Sequence, residues 1–211
     1  MKSQTVESVE ITSNGIRKML NKYTPERAIS EYVWNGFDAK ATIVKINFEF
    51  DNQEFDTVKE IRVCDNGIGI CYEELPSKFK QFYESQKSIA NDNNADLTRG
   101  KNGYGRFTFH KFARFAQWQT FYQKGNDIMS YEIDISNDNL KDYTPTIPIK
   151  SQEPETGTCV IFNEITSAIS TSFIEQVLIP YLKAEFAWFL ELKDEYKIFI
   201  NDTELDYSSI I

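Results

Sequence analysis

Apolar residues recur near a 3.6-residue period in TPERAISEYVWNGFDAKA, where Ala28, Ile29, Val33, Trp34 and Phe37 follow Thr24, Pro25 and Glu26. A capping hydroxyl, a first-turn proline and an early acidic residue all favour a helix start, so the spacing predicts a helix from about Pro25 to Ala39. Upstream, Val6, Val9, Ile16, Met19 and Leu20 repeat more loosely around TSNG and predict a broken helix. ATIVKINFEF and KEIRVCD alternate apolar with polar residues, the signature of half-buried strands, here joined by the acidic turn DNQEFD. YEELPSKFKQFY predicts a short helix broken near Pro76.

The pattern lapses from Glu84 to Asn102, where Ile89 and Leu97 are the large apolar residues. A polar tract of this length within a domain predicts a functional loop or lid, at about 85–102, or disorder. GYGRFTFHKFARFA resumes helical spacing through Phe107, Phe112 and Phe115; QWQTFYQ, IMSYEIDI, TPTIPI and GTCVIFNEI then read as strands. A long helix, SFIEQVLIPYLKAEFAWFLEL, and a strand, YKIFI, with an ND turn complete the series. Helices followed by a run of strands predict an α+β sandwich, with helices packed on one face of a mixed, largely antiparallel sheet.

With 211 residues, 41% of them hydrophobic, the chain can bury a full core, and one domain over 1–211 is expected. No apolar run reaches the roughly 18 residues of a membrane span, and MKSQTVESVE lacks a secretory signal, so a cytoplasmic protein without membrane contact is expected. A net charge of −9 argues against direct nucleic-acid binding by this domain. Cys64, Cys71 and Cys159 lack metal-site or paired spacing and read as reduced packing residues.

Three clusters carry candidate chemistry. Glu31, Asn35 and Asp38, at i, i+4 and i+7, share one face of a helix that otherwise offers little surface to water. Asp65, Gly67 and Gly69 form a turn signal in which a carboxylate at a strand end could accept from an exocyclic amine and the glycines leave room for a flat ligand. RGKNGYGRF closes the polar tract with Gly100, Gly103 and Gly105 ahead of a helix, where backbone N–H groups can meet an anion.

Taken in this order, EYVWNGFDAKAT, DNGIG and GKNGYG resemble the ExxxNxxDA, DxGxG and GxxGxG boxes of the GHKL superfamily of ATPases, with Gly157-Thr158 of GTCVIF matching its late threonine strand. That superfamily includes type II topoisomerase ATPase subunits, ninety-kilodalton heat-shock chaperones, sensor histidine kinases, MutL and MORC proteins; DAKAT leans toward the MutL and MORC style, and GTCVIF suits the chaperones. The resemblance implies the two-layer Bergerat sandwich with ATP between helices and sheet. Asp65 and Thr158 would read adenine while Gly67 and Gly69 admit the base; Asn35 would offer its oxygen to Mg²⁺. Glu31 would be the general base for the attacking water, and Asp38 would support the site. Asn102, Gly103, Tyr104, Gly105 and Arg106 would hold the phosphates, with Lys87 and Lys101 adding charge from the lid.

The resemblance further implies slow hydrolysis, ATP-dependent lid closure and transient homodimerisation. It suggests an N-terminal part of a longer protein that exchanges ATP for ADP and acts on a client the sequence does not name. The alternatives are a nucleotide-gated sensor or chaperone-like module that does not hydrolyse, and, less favoured, a histidine kinase. The sole histidine, His110, lies among aromatic residues and reads as packing.

Overall fold

A computed structural model describes residues 12–51, 56–80, 105–166 and 169–211. The expected lid at about 85–102, and with it Lys87, Lys101, Asn102, Gly103 and Tyr104, lies outside them.

Helix α1 (Ser13–Met19) starts within TSNG, because the Thr12 hydroxyl accepts from the Gly15 N–H at 3.1 Å. The polar run expected to interrupt a helix is therefore its cap. Helix α2 (Pro25–Asp38) follows the predicted span. It ends in a Schellman motif: Lys40 takes φ 64°, Lys40 N–H donates to Phe37 O at 2.9 Å and Ala41 N–H to Gly36 O at 3.0 Å. This tight stop turns the chain directly into β1 (Ile43–Phe50), which pairs antiparallel with β2 (Val58–Asp65).

Beyond β2, a 3-10 turn (Tyr72–Glu74) passes into α3 (Leu75–Lys80), so Pro76 sits in the first turn of a helix and does not break one. The helix expected after the glycine loop is a single 3-10 segment (Gly105–Lys111). It gives way at once to β3 (Ala113–Lys124), because from Ala113 the apolar residues alternate with period two: Ala116, Trp118 and Tyr122 are buried on one side. Strands β4 (Asp127–Ser136), β5 (Thr144–Pro145), β6 (Ile149–Lys150) and β7 (Gly157–Ile165) follow.

The last helical stretch is α4 (Thr171–Phe173), a π-helical turn (Ile174–Leu178) and α5 (Ile179–Glu191). Pro180 has no N–H to give and crowds the carbonyl one turn earlier, and the wider turn ahead of it takes up the mismatch. Strand β8 (Lys197–Ile200) then meets β9 (Thr203–Glu204) through Asn201 and Asp202, both at positive φ as a tight hairpin turn demands.

One sheet results, in the order β5-β4-β3-β7-β2-β1-β8-β9 with β6 also on β4; the β1–β8 pair is parallel and the rest antiparallel. The fold is the expected α+β sandwich. Val44, Ile46, Ile61, Val63, Val160, Phe162, Trp118 and Ile133 form the sheet's side of the core. Tyr32 of α2 meets Phe162 edge-on at 4.7 Å, and Trp34 packs on Phe186 of α5 at 4.5 Å. The opposite face is polar: Gln117 donates to Asp134 at 3.0 Å and Gln119 to Glu132 at 3.3 Å.

Two cysteines depart from expectation. Cys64 and Cys159 lie in register on β2 and β7 and are joined by a disulfide, whereas Cys71 is free. Their separation of 95 residues conceals the pairing from any spacing rule.

Candidate functional site

A cavity of about 1040 Å³ lies between α2 and the middle of the sheet. Two buried hydroxyls set its shape. The buried Tyr32 hydroxyl donates to Arg106 O at 2.9 Å and accepts from Phe109 N–H at 3.2 Å, and Thr108 Oγ1 donates to Gly105 O at 2.7 Å while lying 3.2 Å from Ala28 O. The contacts to Tyr32 and Ala28 fasten the Gly105–Lys111 segment to α2. Gly105 is thereby pressed against the helix, so that a Cβ there would stand 3.3 Å from Glu31 Oε2 and 3.4 Å from the Asn35 amide. Two of the sequence clusters therefore meet at one wall.

The third cluster forms the other end. Asp65 closes β2, and its Oδ1 accepts from the Gly67 N–H at 2.8 Å, the aspartate turn expected at DNG. Burial pushes its carboxyl up to about 6, although the backbone N–H groups of Gly67 and Thr158 pull the other way. Thr158 is its register partner on β7. Asn66 faces away from the cavity: its Oδ1 accepts from Thr42 and Ile43 N–H, both at 2.9 Å, tying the end of β2 to the start of β1.

The glycines serve the fold more than the expected admission of a base. A Cβ on Gly67 would lie 2.5 Å from Ala39 O, and one on Gly69, at φ 71°, would lie 2.1 Å from Phe121 O. Both permit backbone to approach backbone; Gly69 also lines the cavity, as does Asp38.

Arg106 is buried at the cavity's edge. Its Nη1 and Nη2 donate to Lys78 O at 3.0 Å and Phe79 O at 2.8 Å, where they serve the last carbonyls of α3, and its guanidinium lies over the Phe107 ring. Burial pulls its pKa down to about 10. The Arg106 Nε has no partner among the described residues. His110 Nδ1 is 3.0 Å from Phe107 O, and burial lowers its pKa, as suits a packing residue.

Three residues escaped sequence reasoning. Burial and the neighbouring Glu31 carboxylate raise the pKa of Tyr23, whose ring lies beneath the Arg27 guanidinium at 4.9 Å. Tyr32 fastens the glycine segment, as described. Thr120 of β3, fully buried, faces Thr158 with Oγ atoms 3.2 Å apart. A threonine at an inward position between Trp118 and Tyr122 was the available signal.

For a metal, Asn35 Oδ1 beside Gly105 is a hard oxygen donor that fits a magnesium ion held mainly by phosphates and water. Among the described residues no cluster of three His, Cys, Asp or Glu side chains could hold a metal ion. No helix among them is long and apolar enough to cross a membrane.

An acidic residue at a central strand end, a glycine segment on a helix bearing Glu and Asn, and a sheet with helices on one face form the arrangement that the motif resemblance implies. The family described as histidine kinase-, DNA gyrase B- and HSP90-like ATPase matches residues 23–168. The chain belongs to that family, whose members bind ATP. No curated protein matches it.

Proposed function

We propose that the chain binds Mg-ATP in this cavity and hydrolyses it slowly. The observation that carries the reading is the convergence of Glu31 and Asn35 on Gly105 at one end, with Asp65 and Thr158 at the other. Asp65 accepts from the adenine amine. The backbone at Gly105 and the matching residues before it hold the phosphates, with Asn35 as a magnesium ligand that bound nucleotide would complete. The magnesium ion would supply charge neutralisation on the phosphates. Glu31, with Tyr23 beside it, takes the proton of the attacking water.

Calorimetric titration and phosphate release test this. Asp65→Asn is expected to weaken ATP binding by roughly a hundredfold, the order expected when a charged hydrogen bond is lost in a desolvated site. Glu31→Ala should keep binding and lose phosphate release. Equal ATP affinity in wild type and Asp65→Asn would sink the adenine assignment. The polar sequence at about 85–102 supports closure over bound phosphates and transient self-association; sedimentation with and without a non-hydrolysable ATP analogue reads the association.

A further inference from the structure

Thr158 lines the cavity, whereas Thr120 stands behind it on β3 and presents no surface there. The two hydroxyls differ in what their surroundings allow. Thr120 Oγ1 already accepts the Ile70 N–H at 2.8 Å, and its own proton has two acceptors within reach: Thr158 Oγ1 at 3.2 Å and Gly157 O at 3.5 Å. Both distances exceed the usual O–H···O range, and Thr158 Oγ1 is the nearer of the two acceptors. A hydroxyl that accepts from behind has its single proton left for the cavity.

We propose that Thr120 is a specificity-determining positioning residue: it fixes Thr158 as a hydrogen-bond donor toward the ligand. Beside Thr158, the Asp65 carboxylate is an acceptor. The pair therefore presents acceptor and donor side by side across adjacent strands. That pattern complements an exocyclic amine next to an unprotonated ring nitrogen, as on adenine, met directly or through one water. It opposes a carbonyl next to a ring N–H, as on guanine or hypoxanthine, because each partner would then face its own kind. The inference rests on the cavity being a nucleotide site and adds the device that sets its base preference.

The test compares ATP, 1-deaza-ATP, which lacks the ring acceptor but keeps the amine, and ITP by calorimetry. Wild type should bind ATP about tenfold more tightly than 1-deaza-ATP, the worth of one buried hydrogen bond. In Thr120→Val the gap should shrink to about threefold and discrimination against ITP should narrow, since a freed Thr158 hydroxyl points its proton at the base only part of the time. Thr120→Ser should restore both. Thr120→Cys, close in shape to the serine variant but a weak donor, should give the same narrowing and serves if the valine variant does not fold. ATP binding by wild type without a gap, or a full gap in folded Thr120→Val or Thr120→Cys, overturns the role of Thr120 alone. Absence of any ATP binding by wild type overturns the nucleotide reading itself.

Discussion

Gly36 rests directly on Asp65: a Cβ at Gly36 would stand 3.0 Å from Asp65 Cβ and 2.9 Å from Val44 Cγ2. A glycine inside a helix ordinarily costs about 1 kcal/mol relative to alanine. Here it lets α2 lie close enough to β1 and β2 for Asn35 and Asp65 to share a cavity. Gly36→Ala should therefore reverse the usual sign and destabilise by about 1–3 kcal/mol through overpacking, while weakening ATP severalfold. Urea unfolding with parallel titration checks this, and a raised midpoint with unchanged affinity would refute it.

Asp65 gives a pH dependence of defined sign. Its carboxyl titrates at about 6 in the fold, above its ordinary 3.8, so the folded state favours the neutral acid. The stability this contributes is present in full below pH 4 and is lost as pH rises through 6, leaving a cost of roughly 3 kcal/mol at neutrality. Adenine needs the charged form. ATP affinity should thus fall about tenfold per unit as pH drops below 6, measured with magnesium in excess to keep the γ-phosphate ionised. In the same terms Asp65→Asn should melt no lower than wild type without ligand, although it loses ATP.

The parts of this arrangement that were legible beforehand are local ones. The period of α2, the cap at Pro25 and the alternation of β1 and β2 each arise within a few residues, and the motif order placed Glu31, Asn35, Asp65 and Thr158 in one cavity. What escaped depends on contacts distant in sequence. Tyr32 finds its partners at Arg106 and Phe109, Gly36 answers to Val44 and Asp65, and Cys64 meets Cys159 through strand register. The expected helix through Phe115 failed for a different reason: a 3-10 segment and a strand can both bury phenylalanines at short intervals, and Phe109 and Phe112, three apart, fit a 3-10 segment as well as an α-helix.

Arg106 separates support of the fold from contact with nucleotide. Its two carbonyl bonds to α3 need a fork that lysine lacks, so Arg106→Lys and Arg106→Met should both lower stability by about 2 kcal/mol. Thermal melts without ligand read the loss. A variant that melts normally but binds ATP poorly would instead assign the guanidinium to the phosphates.

Asn66 offers the complementary case one residue from Asp65. Asn66→Ala removes the bonds to Thr42 and Ile43, yet the side chain is exposed and water can replace it, so the expected cost is about 1 kcal/mol. ATP affinity, compared by titration at a temperature where both proteins are folded, should change less than threefold. A loss as large as that of Asp65→Asn would mean that the junction of β1 and β2 itself shapes the base pocket.

Strand β7 lies between β2 and β3 although it is made after both. During synthesis Asp65 and Thr120 emerge first, on strands that have no ladder between them until Thr158 follows. A nascent chain at that stage carries open edges on β2 and β3 and an incomplete reader of the base. At translation rates of about 5–20 residues per second, the interval from β3 to β7 lasts seconds, long enough for those edges to meet other chains. Arrival of β7 closes the β2 and β3 edges and assembles the threonine–threonine–aspartate row in a single event, while β1 waits for β8 to cover its other edge.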